Sequence, residues 1–410
     1  MQYDVVVIGA GVVGAAVAHR LRQVMPDAAL LVIEKEREPA FHQSGRNSGV
    51  IHSGIYYKPG SLKAALCAKG REMLYDFALR EGISHERCGK IILATDPAEL
   101  PRLHALYERG LQNGIPGIKL LSAAEIPAYE PEARGVGAIH VPVTGIIDYK
   151  AVTQRLLALS HAEVTYQNEV LGLKTTVQGY EIRTSQGAYE TKYLIACAGL
   201  QADRIARMDG LRPPLRIVPF RGDYYELRPE ARWKVRHLIY PLPHPTYPVL
   251  GVHLTRMIDG SVEAGPNAVF AWAREKYSRT GFSLKDTIEA LSFSGTWRFF
   301  VKHWREGWAE YQRAFSKRLF WKSLQRLVPS LTEDDLVPAR SGIRALSLTT
   351  DGHFWDDFYF VAKARSLHVL NAPSPAATAA LALAEIIVQK ALETWQISTS
   401  VSTSGLSPRL

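Results

Sequence analysis

Cysteine is almost missing from this 410-residue chain. Cys67, Cys88 and Cys197 are the only three, and no two of them form a CxxC pair. An odd, scattered set excludes a disulfide framework and a structural zinc cluster as organising principles, and it fits a reducing compartment. Long hydrophobic runs are missing as well. A spanning helix needs about 18 consecutive apolar residues. The nearest approach, Ala376 to Val388, is too short and contains Glu385. No basic n-region with an apolar core, and no Arg- and Ser-rich transit stretch, stands before the first strand at Tyr3. The expected location is the cytoplasm, with peripheral attachment to the cytoplasmic face of the inner membrane as its extension. Internal repeats are absent, and no group of residues has the spacing of a metal site, so no metal is expected.

What remains is the balance of a soluble globular protein: 47% apolar and 22% charged residues. At ~150 residues per domain the length allows two or three units. The formal charge is +9. Most of it comes from one segment, Thr296 to Ser330, where eight Arg or Lys face only Glu306 and Glu310. Helical spacing there, with no nucleic-acid-binding module, argues against a nucleic-acid partner. The same segment holds Trp297, Phe299, Phe300, Trp304, Trp308, Phe320 and Trp321. Aromatic rings among Lys and Arg suit an anionic membrane surface. The other reading open to them is an aromatic core under a solvated basic face.

The apolar run Tyr3 to Ile8 reads as a buried strand, Val12 to Val24 as a helix and Leu30 to Ile33 as a second strand. Helical spacing returns over Ser61–Glu81, Pro101–Asn113 and Val152–Ser160, and Tyr193 to Ala196 is another apolar strand. Strand-like segments follow at Arg216–Leu227, His237–Tyr240 and Val249–Thr255. The region 284–328 reads as helical, Gly342–Leu348 and Phe358–Val361 as strands, and Pro375–Thr394 as a closing helix. The Ser- and Thr-rich tail 398–410 is expected to be disordered.

Gly9-Ala10-Gly11-Val12-Val13-Gly14 fits GxGxxG, follows an apolar strand and opens a helix. Glu34 lies twenty residues after Gly14, at the end of the next strand. That context makes a dinucleotide site. Gly9 permits a tight turn, Gly11 lets a pyrophosphate approach the helix N-terminus, and Gly14 allows close packing of helix on strand. A carboxylate at Glu34 suits ribose hydroxyls and repels a 2′-phosphate. The open sheet is interrupted by a β-rich stretch and resumes near the C-terminus, an interleaving that suits FAD better than a nicotinamide cofactor.

The loop after the second strand reads His42-Gln43-Ser44-Gly45-Arg46-Asn47-Ser48-Gly49-Val50-Ile51-His52-Ser53-Gly54-Ile55-Tyr56-Tyr57. Together with Cys88-Gly89-Lys90, Thr144 to Tyr149, Cys197 to Leu200, Val218 to Tyr224, Leu250 to Thr255, Gly265 to Ala268, Gly342 to Ala345 and Asn371 to Thr378, it closely resembles the L-2-hydroxyglutarate oxidase/dehydrogenase family, within the D-amino-acid-oxidase-like FAD proteins. The blocks occur in order across all but the tail. Two positions depart from the family pattern. Arg46 stands where many relatives carry His, and Leu346 where many carry Gln.

The resemblance implies an α/β Rossmann-like FAD-binding domain interleaved with an antiparallel-sheet substrate domain. The first would comprise residues 1–85, 145–212 and 336–397, and the second 86–144 and 213–335. It implies noncovalent FAD near Gly9, Gly11, Val12, Val13, Gly14, Glu34 and Lys35. Gln43, Ser44, Arg46, Asn47 and Ser48 would approach the ribityl chain and flavin, and Val170 would close over adenine. Ala198, Gly199, Gly342, Ser374, Pro375, Ala376, Ala377 and Thr378 complete the cofactor set, the last five as a helix N-terminus. The reaction implied is oxidation of L-2-hydroxyglutarate to 2-oxoglutarate by hydride transfer to flavin, with a quinone or another acceptor, O2 included, taking the electrons. A small dicarboxylate substrate needs cationic clamps, for which Arg344 and Arg221 are candidates, and a base, for which His253 and His52 compete. Tyr240 would orient substrate, and His368 is a structural residue. The competing readings are a flavin oxidase of amines or other 2-hydroxy acids and a flavin-binding scaffold without catalysis.

Overall fold

The computed structural model describes residues 2–244 and 250–397. The expected tail 398–410 and the start of the strand expected from Val249 lie outside them. The chain forms two large sheets joined by a small one. In the first, Gln2–Ile8 is central and runs parallel to Leu30–Ile33 on one side and to Gly187–Ala196 on the other. Glu163–Thr165 extends it past Leu30–Ile33, and Ser366–Asn371 pairs in parallel with the far half of Gly187–Ala196. Val5, Val6 and Val7 are almost wholly buried because both faces are covered. The helices Val12–Val24 and Ala380–Trp395 pack on one side, and Ile182, Leu194 and Ile205 fill the other. The sheet is thus assembled from segments some 360 residues apart, which is the interleaving that the sequence pattern predicts.

The second sheet has nine strands. Across it run Lys119–Ser122, Gly137–Val141, Lys90–Ala94, Leu238–Pro241, His253–Arg256, Val262–Gly265 and Leu215–Leu227, with Val269–Phe270 on the last. Leu336–Thr349 pairs along the whole of Leu215–Leu227. Residues 336–349, grouped by sequence with the cofactor domain, therefore belong to this second sheet, which is antiparallel except where Leu238–Pro241 runs parallel to Lys90–Ala94. Pro338 and the polar Arg340-Ser341 interrupt its apolar pattern and conceal a 14-residue strand. Val50–Ile51, Gly145–Ile147 and His85–Glu86 make the three-stranded sheet at the junction.

The closing helix also begins later than expected. Residues 374–379 are turns, and the helix starts at Ala380. Pro375 sits in the first of these turns, and the chain reaches the helix only after Thr378, whose side chain is tied into the junction. His368 is structural, as expected. Its Nε2 lies 2.9 Å from Asp209, a buried carboxylate that also accepts from Ser366, Tyr180 and Lys363.

Candidate active site

The glycine turn is shaped by close backbone contact. Gly9 has φ +101°, and a Cβ there would lie 2.5 Å from the Cys197 carbonyl oxygen. A Cβ on Gly14 would lie 2.0 Å from the Gly9 oxygen. Gly11 differs, for a Cβ there would meet only Ser44 Oγ, at 3.1 Å. The helix it opens has no side-chain cap and no acid in its first turn. Ser44 Oγ accepts the Val12 N–H at 2.9 Å, while the Val13 and Gly14 N–H groups meet no protein acceptor among the described residues. Free N–H groups at a helix N-terminus are an anion site, so this end fits the FAD pyrophosphate. Glu34 is buried at the adjoining strand end, where its carboxylate accepts the N–H groups of Ala10 (2.7 Å) and Glu36 (2.9 Å). Each oxygen keeps a further lone pair for a ribose hydroxyl. The contrast between the glycines predicts separable defects. Gly11→Val should give a folded protein that purifies without FAD, whereas Gly14→Ala should lose both cofactor and thermal stability, as read by absorbance and Tm.

Several residues expected at the cofactor also make contacts within the scaffold. The Lys35 ammonium is taken by Glu36 (2.6 Å) and Glu275 (2.7 Å), which also neutralises the one group of acids and His with ligating atoms close together among the described residues, Glu36, His42 and Glu275. The Arg46 guanidinium lies over the Tyr277 ring at 3.9 Å and donates to the Phe41 and Ser341 carbonyls. Asn47 holds the loop together, donating to the carbonyls of Gln43 and Ser44 and accepting from Gly49 N–H. These contacts fix the loop and leave part of the donor capacity of Arg46 and Lys35 unused. The Val170 side chain is buried with Ile8 and Ile33, leaving only its backbone for adenine. Gln43 bridges parts of the site. Its Oε1 accepts the Ala345 N–H at 3.3 Å, and its Nε2 lies beside Gly199, which has φ +49°. Ala198 precedes that turn at the end of a sheet strand. Gly342 is required where the loop meets the long strand, since a Cβ would lie 2.6 Å from the Arg46 oxygen. Thr378 Oγ1 is fully buried, accepts the His52 N–H at 3.0 Å and lies 3.0 Å from Tyr149 Oη, fixing the C-terminal turns against the loop. Ser374, at the head of those turns, places its Oγ 3.5 Å from His52 Nε2. Ala376 and Ala377 supply small side chains next to it.

The substrate side is one face of the nine-stranded sheet. Tyr240 and His253, on neighbouring strands, stack with ring centroids 3.9 Å apart. His253 Nδ1 is 2.9 Å from the Gly251 carbonyl, so Nδ1 carries the proton and Nε2 is an acceptor. The Tyr240 hydroxyl is buried beside Ser48 and Thr255 without a well-formed hydrogen bond. Lys90, on the next strand, extends its Nζ over the rings of Tyr56 (4.6 Å) and Tyr240 (4.7 Å). At the other end of the row Arg344 donates to the Asn267 carbonyl at 3.1 Å and pairs with no carboxylate among the described residues. Between them a Cβ on Gly265 would lie 3.0 Å from the Asp223 oxygen and 3.3 Å from Tyr224, so the glycine lets its strand close against Leu215–Leu227. His253 feels both Arg344 and Lys90, and His52 feels Lys90, His253 and Lys63. Burial, reinforced by these cations, pulls both histidines down to about 3, so both rings are neutral.

Arg221 is not part of this row. It is buried and forked onto Asp223, with Nε–Oδ1 2.8 Å and Nη2–Oδ2 3.2 Å, and its Nη1 donates to the Ser278 carbonyl. It lies opposite Ile343, whereas Arg344 lies opposite Phe220. Alternation along a strand sends Arg221 and Arg344 to opposite faces, so they cannot clamp one small molecule. Lys90 was the residue to find instead. Lysine is almost never buried without a partner, and here it heads the apolar strand Lys-Ile-Ile-Leu-Ala, which was the available signal.

Similarity to known proteins follows this geometry. A family model described as FAD dependent oxidoreductase matches residues 4–390. L-2-hydroxyglutarate dehydrogenase of Escherichia coli K12 is 46% identical over 95% of this chain and 93% of its own length. The human mitochondrial L-2-hydroxyglutarate dehydrogenase is 41% identical over 96% and 90%. Among solved structures, FAD-bound L-alpha-glycerophosphate oxidase from Mycoplasma pneumoniae superposes with a TM-score of 0.79 at 21% identity, covering 98% of this chain and 97% of the other. Glycine oxidase from Geobacillus kaustophilus reaches 0.72 at 19%, with the same coverage. These structures share the two-sheet fold.

Proposed function

The chain belongs to the FAD dependent oxidoreductase family, and on that premise we propose that it oxidises L-2-hydroxyglutarate to 2-oxoglutarate. The observation that carries the substrate class is this cluster: Arg344, without a carboxylate partner among the described residues, and neutral His253 on one sheet face, with neutral His52 held beside Ser374 within electrostatic range of His253. FAD, when bound, supplies the acceptor for the two electrons and the α-hydrogen that leave the substrate. The protein's own groups do the rest. Arg344 holds a carboxylate in its fork. His52, which touches Ser374 of the turns next to the cofactor loop, takes the hydroxyl proton as the base, since the base must stand where the α-carbon meets the cofactor. His253, locked by Gly251 and Tyr240, accepts one hydrogen bond from the substrate at Nε2 and sets its orientation. The cofactor is held noncovalently. His42, the loop histidine nearest the cofactor segment, has both ring nitrogens engaged, by Tyr277 Oη and Glu36, and acid precipitation should release the chromophore intact.

The electron pair needs an onward acceptor, and we propose a quinone reached by docking on an anionic bilayer surface. No helix among the described residues is long and apolar enough to cross a membrane. The aromatic segment does not simply fill a core. Phe299 and Phe320 are buried, but Trp297, Val301, Trp304 and Trp308 are 54%, 73%, 62% and 64% exposed. Their spacing of four puts each pair on one face of the helices Ser294–Lys302 and Trp304–Phe315, beside exposed Arg298, Lys302 and Arg305. Indole rings at headgroup depth and cations against anionic lipid give two attachments on one surface. The holoenzyme should float with anionic liposomes and be released by salt, whereas Trp304→Ser/Trp308→Ser and Lys302→Glu/Arg305→Glu should stay in the soluble fraction. Equal flotation of all three proteins would refute the surface.

A further inference from the structure

Lys90 has a role that the fold does not explain. It is 1% exposed, and no carboxylate lies within ion-pair distance of it among the described residues. Its single hydrogen-bonding neighbour among the described residues is Tyr56 Oη at 3.4 Å. Two aromatic faces, Tyr56 and Tyr240, hold the ammonium by cation–π contact. Such contact offsets part of the lost hydration, not all of it. The amine also stands within electrostatic range of both histidines of the site. Strand alternation puts Lys90, Tyr240 and His253 on the same sheet face, with Arg344 at the far end of the row.

Resting on the proposed 2-hydroxy acid reaction, we propose that Lys90 is the second carboxylate anchor, so that a dicarboxylate is held with one end on Arg344 and the other on Lys90. The two cations differ in kind. Arg344 presents a fork that fixes the plane of its carboxylate, while Lys90 presents a point charge between two rings that sorts substrates by the presence of a second negative charge. This assigns the selectivity for a dicarboxylate over a monocarboxylate 2-hydroxy acid to Lys90. It also links binding to a proton. Burial lowers the free amine to about 7, and a bound carboxylate restores its charge.

Two measurements on the FAD-loaded protein test this. The first compares wild type and Lys90→Met with L-2-hydroxyglutarate and with L-2-hydroxypentanoate, which keeps the reacting end and lacks the second carboxylate. The variant should lose about 100-fold in kcat/KM on the dicarboxylate and change by less than about threefold on the monocarboxylate. An equal loss on both, or none on either, would overturn the assignment. Methionine fills the same space without burying a charge, and Lys90→Gln serves if it does not load FAD. The second is calorimetry of glutarate binding at pH 8 in buffers of different ionisation enthalpy. Wild type should take up most of one proton on binding and Lys90→Met none. Uptake that is absent from wild type, or present in both, would overturn it. Because glutarate binding needs no turnover, this arm reads Lys90 even if L-2-hydroxyglutarate is not the substrate.

Discussion

Arg344→Lys should lower kcat/KM for L-2-hydroxyglutarate by about 10²-fold, and Arg344→Met by about 10³-fold, with FAD content unchanged. Lysine keeps the charge but loses the planar fork, so the difference between the two variants separates charge from geometry. Among the described residues no carboxylate neutralises Arg344, and its one hydrogen bond there, to the Asn267 carbonyl, leaves most of the guanidinium free. Arg221→Lys is the matched control. It breaks a buried fork on Asp223 and should lower Tm while leaving KM within about threefold. If Arg221→Lys abolished substrate binding and Arg344→Lys did not, the two arginines would have been assigned the wrong way round.

The second large effect separates the histidines. His52→Gln should lower kcat by about 10²- to 10⁴-fold, the usual range for a lost general base, with little change in substrate binding. His253→Gln should act chiefly on KM, because its ring is fixed by Gly251 and Tyr240 to hold rather than to accept a proton. The pH dependence has a definite sign. Both histidines are held near 3, so the neutral, base-competent form persists as pH falls. The wild-type kcat, which reports the bound complex in which Lys90 is already charged, should therefore stay level from pH 8 down to about 5 and show no fall near the ordinary histidine value of about 6.5. A stopped-flow pH series on wild type and both variants checks this. A sharp loss of rate near 6.5, or equal losses in the two variants, would remove the base from His52.

Much of the fold is legible in sequence because it rests on short-range rules. The GxGxxG turn, Glu34 at the end of the next strand and the all-apolar Val5-Val6-Val7 predict a buried parallel strand and its cofactor turn, and all are found in place. The strand Leu336–Thr349 was harder, because polar residues interrupt it and its partner lies more than a hundred residues earlier. At the site, the row Tyr240, His253 and Arg344 is visible as residue types, but which of them face one another depends on strand order. Arg46, Asn47 and Lys35 add what sequence cannot show: backbone carbonyls, an aromatic ring and two glutamates also contact them. For Lys90 the apolar strand it heads was a weak signal, because a charge at the head of a strand usually marks an exposed end, and the neighbouring strands show that this one is covered.

Anaerobic mixing of the FAD-loaded protein with each enantiomer of 2-hydroxyglutarate tests the central claim most directly. The L form should bleach the visible flavin absorption within the time of a turnover and yield one 2-oxoglutarate per flavin, while the D form leaves the spectrum unchanged. Bleaching by the D form, or a fully loaded protein that neither form reduces, would contradict it.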